Sequence, residues 1–216
     1  MDWTDEYREI VEFYYWEPQH IGRAGGQKKF KNADEMYEHI NRIEVSLNHV
    51  LNIFFSLYPL HQVSCFNIEG THERLSSWRL ETIEREQRKL TQPDMFFEGK
   101  DRNVAIELKT VSKCSLQQVQ KYVNFHKALD RSGDKDFELI ILSPHKELKL
   151  VFAEKYESLP DLWSDLGERV AIKLVSYDEL YKSLSMPADD SAEYKLAEGL
   201  RRYLQKRPDL GFSISD

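Results

Sequence analysis

Two short apolar runs, Met95-Phe96-Phe97 and Val104 to Leu108, are split by the turn-rich stretch Glu98 to Asn103. Runs of this length bounded by turn residues predict two paired strands. Side chains alternate across a strand, so Val104, Ile106 and Leu108 share one face while Ala105, Glu107 and Lys109 share the other. In the first run Asp94 and Phe96 alternate with Met95 and Phe97. Paired strands lie about 4.8 Å apart, which lets Asp94 reach the patch that holds Glu107. Two hard oxygen ligands then converge beside one cation.

Such a trio suits metal-dependent hydrolysis of a phosphodiester. Asp94 and Glu107, with the backbone carbonyl of Leu108, offer the oxygen ligands that Mg²⁺ or Mn²⁺ prefers while it keeps several waters. A divalent ion there polarises a phosphoryl oxygen and lowers the pKa of a water, and Lys109 orients that water or neutralises the transition state. At an effective dielectric of about 20, a cation about 4 Å from a carboxylate gains roughly 4 kcal/mol, enough for three charges to share a half-buried site. A hairpin that ends in a surface ion pair, worth about 0 to 1 kcal/mol, would present the same letters.

After Lys109 the chain passes through Thr110 to Cys114 and enters a helix near Ser115, with Leu116, Val119 and Val123 at helical spacing. Gln118 and Tyr122 are four apart and stand one above the other on one flank. Pro93-Asp94, Glu107-Leu108-Lys109 and Gln118 to Tyr122 together resemble the pattern of the PD-(D/E)xK nuclease superfamily. The likeness is to its RecB-like branch, in which a metal-binding Asp, a Glu-x-Lys and a Gln-x-x-x-Tyr helix follow in that order. That branch often has Gly before its Asp; Gln92-Pro93 here is the superfamily's other common form, and Pro is tolerated at a strand start. The resemblance spans roughly Asn32 to Ser143. It implies a restriction-endonuclease-like α/β fold, a central mixed sheet flanked by helices. It also implies Mg²⁺ or Mn²⁺ as cofactor and a nuclease acting on nucleic acid, DNA ahead of RNA.

The superfamily also tends to carry a glutamate on its first core helix. A helix from about Ala33 to Leu57 is predicted by the stripe Met36, Ile40, Ile43, Leu47, Val50, Leu51 and Phe54. Asn32 to Glu35 reads as its capping box, and Pro59 enforces its end. Glu44 lies on the flank of that stripe in line with Leu51, aimed partly inward, where an acid needs a water or a basic partner. By resemblance Glu44 supports a metal-bound water, while Gln118 and Tyr122 position the site or the strand. An ordinary solvated glutamate is the competing reading of Glu44.

The 216 residues suffice for a single α/β domain, and 41% apolar content with 12% aromatics excludes a disordered chain. No apolar run approaches a membrane span and the N-terminus does not read as a signal peptide, so a cytoplasmic protein without membrane contact is expected. Cys65 and Cys114 show no pairing framework, and the histidines have no i, i+4 pair that would favour zinc. A net charge of −7 is unusual for a nucleic-acid enzyme. The cations are locally grouped, however: around Gly22 to Lys31, between Arg74 and Lys89, and at Lys113 and Lys121. These could line a groove. Equally, the acids interleaved with Arg79, Arg85 and Arg88 could describe a solvated helix or polar strand. The glycine-rich Gly22 to Lys29 lacks phosphate-loop spacing and reads more simply as a connector.

Along the chain, Trp3, Tyr7, Ile10, Val11 and Tyr14 predict a short N-terminal helix, and Val63 to Ile68 reads as the first core strand. Further strands are expected at Phe137 to Leu142, Leu148 to Phe152 and Val170 to Val175. Helices are expected at Tyr156 to Leu166, Tyr177 to Leu184 and Ser191 to Gln205, with a frayed end from Phe212. The motif core, about 32 to 143, would then carry an N-terminal helix and a C-terminal α/β extension of unassigned role. Two further possibilities follow: a homodimer, since cutting both strands of a duplex needs two sites, and a catalytically silent subunit that binds nucleic acid or protein within a larger complex. A helical interaction module whose hairpin merely looks catalytic would have no metal affinity at all.

Overall fold

The computed structural model describes residues 2–7, 44–86, 92–110, 114–144, 167, 169–184 and 191–210. In chain order the elements are α1 (Glu44–Leu57), β1 (His72–Arg74), α2 (Ser77–Glu86), β2 (Met95–Gly99), β3 (Arg102–Leu108), α3 (Leu116–Leu129), β4 (Asp136–Ser143), β5 (Val170–Ser176), α4 (Tyr177–Ser183) and α5 (Ala192–Gln205). The strands form one five-stranded sheet in sequence order. β1, β2 and β3 pair antiparallel, whereas β3, β4 and β5 pair parallel. The architecture is thus α/β, a mixed sheet flanked by helices.

The alternation read from the sequence divides the core in two. Met95, Phe97, Val104, Ile106 and Leu108 join α1, α4 and α5 on one side of the sheet. Phe96, Ala105, Phe137, Leu139 and Ile141 join Leu80 and Ile83 of α2 and Val119, Tyr122 and Phe125 of α3 on the other. β4 has almost no polar break because a parallel strand covered by helices on both sides buries every residue after its first. Each large apolar side chain taken fully out of water contributes about 1.5–3 kcal/mol, so the sheet is anchored from both faces.

In α1, Leu47, Val50, Leu51 and Phe54 are all fully buried, as the apolar stripe requires. The helix ends one residue before Tyr58, whose amide closes onto the Phe54 carbonyl at 2.8 Å, and Pro59 begins the next turn. Met36, Ile40, Ile43 and the expected capping box lie outside the described residues. So do Ile10, Val11 and Tyr14, the strand at Leu148 to Phe152, the helix at Tyr156 to Leu166 and the frayed end from Phe212. Residues 3–7 are helical, and Trp3 donates its indole N–H to the Leu196 carbonyl of α5 at 3.2 Å. A Cβ at Gly199 would collide with that indole, so the glycine is what lets Trp3 lie against α5.

Val63 to Ile68 is not a strand. Leu60–Gln62 and Ser64–Phe66 are 3₁₀ turns, and Asn67 takes a left-handed conformation at φ 51°. Through the two turns Leu60, Val63 and Phe66 are the buried positions, a spacing of three that matches three residues per turn; Ile68, past the break at Asn67, is buried as well. Asn is one of the few residues that enters the left-handed region readily, and it breaks the run there. The first strand is instead the short, polar His72–Arg74. The charged stretch that follows resolves as helix α2, with Leu80 and Ile83 inward and Arg79 exposed.

The C-terminal third is built into the same core. β5 pairs with β4 along its whole length. Ser176 caps α4 in a reciprocal capping box with Glu179, and this turn aims the buried Tyr177 at the sheet. The Tyr177 hydroxyl donates to the Lys109 carbonyl at 3.0 Å. On α5, Tyr203 shares a 2.8 Å hydrogen bond with Ser46 of α1 and accepts one from the buried Arg207, which forks onto Asp209. Among the described residues no helix is long and apolar enough to cross a membrane. Tyr177→Phe would leave the buried Lys109 carbonyl without that donor and should lower stability by about 1–3 kcal/mol. Urea unfolding would measure the loss, with the far-ultraviolet circular dichroism of the folded protein unchanged.

Candidate active site

The end of the β2–β3 pair is where the charges meet. Met95 pairs with Ile106, so one further step along that register sets Asp94 opposite Glu107. The Leu108 amide donates to Asp94 Oδ2 at 2.8 Å, which fixes the carboxylate against the β3 backbone. Glu107 and Lys109 are 4% and 6% exposed, and Lys109 Nζ bonds Glu107 Oε1 at 2.5 Å. A solvent-exposed hairpin pair is therefore ruled out for these two. The Lys109 amide also bonds the Leu142 carbonyl of β4 at 2.8 Å, so the chain stays locked to the sheet past the last residue of β3.

Helix α3 braces Glu107 from the opposite layer. Its N-cap is Ser115, whose side chain accepts from the Gln118 amide at 3.1 Å and so sets the first turn. Gln118 Nε2 then donates to Glu107 Oε1 at 2.8 Å and to the Tyr122 hydroxyl at 2.5 Å. Both residues of the Gln-x-x-x-Tyr pair thus bear on the carboxylate. Burial, followed by the charge of Glu107, pushes the Tyr122 hydroxyl far above its usual pKa and keeps it protonated. Cys114 is pushed up to about 12 by burial and by Glu107, and is an inert thiol.

Glu44 heads the described part of α1, half-buried, and accepts a 3.2 Å hydrogen bond from the Thr110 hydroxyl. Its inward aim is as the stripe implied, but the partner observed is a hydroxyl. Its charge also reaches Asp94 and Lys109. All six motif residues, Asp94, Glu107, Lys109, Glu44, Gln118 and Tyr122, are brought together, with Leu108 supplying backbone between two of them.

The electrostatics show an excess of negative charge. Burial and then Glu107 raise the Asp94 carboxyl to about 7; the Leu108 amide and Lys109 pull it down, and Glu44 adds to the rise. Burial pulls Lys109 down, but Glu107 outweighs it, with Cys114 and Glu44 adding to the upward effect, so the ammonium holds its proton more firmly than usual. A lysine held charged in this way serves as a fixed cation and not as a base. A divalent cation between Asp94 and Glu107 would relieve the repulsion that disfavours the Asp94 anion, so the donor set fits such an ion. Among the described residues no three His, Cys, Asp or Glu side chains form a ligand cluster by themselves. An ion here would take the two carboxylates, the Leu108 carbonyl and water, which suits Mg²⁺ or Mn²⁺.

Several participants were not foreseen. Asn48 Nδ2 donates to Asp94 Oδ1 at 2.5 Å, Asn52 lies next to it, and Thr110 and Tyr177 hold Glu44 and the Lys109 carbonyl. Two asparagines at i, i+4 inside a helix, where Asn is disfavoured, were the available signal for the first pair. Comparison with protein-family models, with curated proteins and with solved structures found no match.

The raised Asp94 pKa has a definite sign for stability. Between its unfolded value of 3.8 and about 7, the folded state binds more protons than the unfolded one, so metal-free stability falls as pH rises through that window. Thermal unfolding in a chelator should show a lower melting temperature at about pH 8 than at about pH 5. Asp94→Asn should flatten much of that slope. A slope equal in both proteins would place the destabilising charge elsewhere.

Proposed function

We propose that this chain is a divalent-metal-dependent nuclease of the PD-(D/E)xK superfamily, with a restriction-endonuclease-like core, that hydrolyses phosphodiester bonds in DNA. The observation that supports it most strongly is the buried convergence of Asp94, Glu107 and Lys109 at one strand end, braced by Gln118 and Tyr122 from α3. The two carboxylates are too crowded to be a stabilising device on their own, since burial and Glu107 raise Asp94 to about 7. A purely structural site would be better served by one carboxylate paired with one ammonium.

When bound, Mg²⁺ or Mn²⁺ supplies Lewis acidity to the phosphoryl oxygen and acidity to a water. Asp94 and Glu107 would hold the ion. The Leu108 amide and Gln118 fix those carboxylates so that little reorganisation is needed during reaction. Lys109, kept charged, would offset negative charge growing on the phosphoryl group and orient the attacking water. Glu44, tied to Thr110, borders this space and would support a water held there.

Glu107→Gln and Lys109→Met retain the volume of each side chain. Each should lower Mg²⁺-dependent cleavage of plasmid and single-stranded DNA by about 100-fold or more, given the usual cost of losing a preorganised electrostatic group. The metal-dependent rise in melting temperature, which follows RT ln(1 + [L]/Kd), should vanish in Glu107→Gln and persist in Lys109→Met. A wild-type protein whose melting temperature ignores Mg²⁺ and Mn²⁺, and which leaves DNA intact, would end this reading. A protein that responds to metal, binds DNA and never cuts it would be the silent subunit.

A further inference from the structure

On the α1 side of Asp94 lies a second polar assembly that the metal-binding trio leaves unused. A cleft there is lined by Asn48, Asn52, Leu80, Gln92, Pro93 and Asp94. Through three of these residues runs a directed chain of hydrogen bonds that ends at Arg74, outside the lining. Arg74 Nη1 donates to Asn52 Oδ1 at 2.8 Å, Asn52 Nδ2 donates to Asn48 Oδ1, and Asn48 Nδ2 donates to Asp94 Oδ1 at 2.5 Å. Asn52 Nδ2 also reaches the Asn48 carbonyl at 3.0 Å and the Asp94 carbonyl at 3.5 Å. A guanidinium can only donate and a carboxylate can only accept, so the two ends allow each amide a single orientation. The result is a rigid strip leading from Asp94 to a cation.

Arg74 is the unusual member. It is half-buried on the edge strand β1, opposite Phe97, on the sheet face covered by α1. Burial is what lowers its pKa, and no carboxylate among the described residues acts on it. Its described bond is to a neutral amide, which engages one of five N–H donors. A partly desolvated guanidinium without a counter-charge is unfavourable, and a neutral donor would satisfy Asn52 equally well. Its planar fork matches two oxygens of a phosphate, for which a lysine is no substitute. A nucleic-acid strand whose scissile phosphate lies at Asp94 must place neighbouring phosphates within one or two nucleotides of that point, along whatever groove adjoins it.

We propose that the Arg74 end of this strip, next to the cleft, is the subsite for a backbone phosphate of the strand being cut, with Arg74 as the anion-binding group and Asn52 as the positioning residue that aims it. This deepens the nuclease reading and depends on it. It also bears on the charge balance: an acidic protein, at net −7, can engage a polyanion if its cations stand at the points where phosphates must lie.

The test uses the full chain with Arg74→Gln and Arg74→Lys, and a fluorescein-labelled DNA oligonucleotide bound in Ca²⁺ over a series of salt concentrations. Arg74→Gln should weaken binding about tenfold and reduce the slope of log K against log salt by about 0.7–0.9, the signature of one phosphate contact removed. Arg74→Lys should restore the slope and only part of the affinity. In Mg²⁺ the Gln variant should raise KM about tenfold with kcat changed less than about threefold. Its metal-dependent rise in melting temperature should equal that of the wild type. If the wild type cleaves DNA while Arg74→Gln keeps both affinity and salt slope, the subsite is wrong and the nuclease reading stands. If Arg74→Gln loses its metal response with the salt slope unchanged, Arg74 merely props Asp94, and the subsite is again overturned. A wild type that neither binds nor cuts DNA overturns both.

Discussion

Carboxylates forced together away from water set the terms for the rest of this molecule. Asp94 and Glu107 are delivered to the same strand end by the antiparallel β2–β3 register, and Glu44 is brought to its edge by α1. One ammonium, Lys109, partly compensates. Each remaining feature of the neighbourhood manages that imbalance: the Leu108 amide and Asn48 donate to Asp94, Gln118 donates to Glu107, and Thr110 donates to Glu44. Hydrogen bonds to ionised groups are about twice as strong as neutral ones, and removing any one donor leaves its acceptor buried and underserved. The site is thereby over-determined in position while still short of positive charge.

Sheet topology explains why the crowding arises at this spot. β3 is the strand at which pairing changes from antiparallel, with β2, to parallel, with β4. Its C-terminal end is therefore flanked by the start of β2 on one side and by the C-terminal end of β4 on the other. Side chains from β2, β3 and the first turn of α3 converge there, because α3 must start close to where β3 leaves the sheet in order to cross over to β4.

Much of this was legible in the order of residues. Alternation in Met95 to Phe97 and Val104 to Leu108 predicted the division of the core, and the run Phe137 to Leu142, apolar apart from Glu138, predicted strand β4. The Gln118 and Tyr122 spacing predicted a common flank, and both side chains do bear on Glu107 or on each other. Val63 to Ile68 misled because Cys65 and Phe66 have the composition of a strand, while the decisive residue, Asn67, acts through a backbone conformation that composition does not encode. The Asn48 and Asn52 pair escaped notice for another reason. Their partners, Asp94 and Arg74, lie far along the chain, and only folding brings them together.

Tyr177 has a consequence for how the chain divides. The hydroxyl that closes onto the Lys109 carbonyl comes from the first residue of α4, beyond every motif that suggested the chemistry. β5 extends the sheet and α5 lies against α1 through Ser46 and Tyr203. A fragment cut back to the motif-bearing segment would thus lose the support beneath its own lysine. The distal portion, through Tyr177, β5 and α5, is foundation.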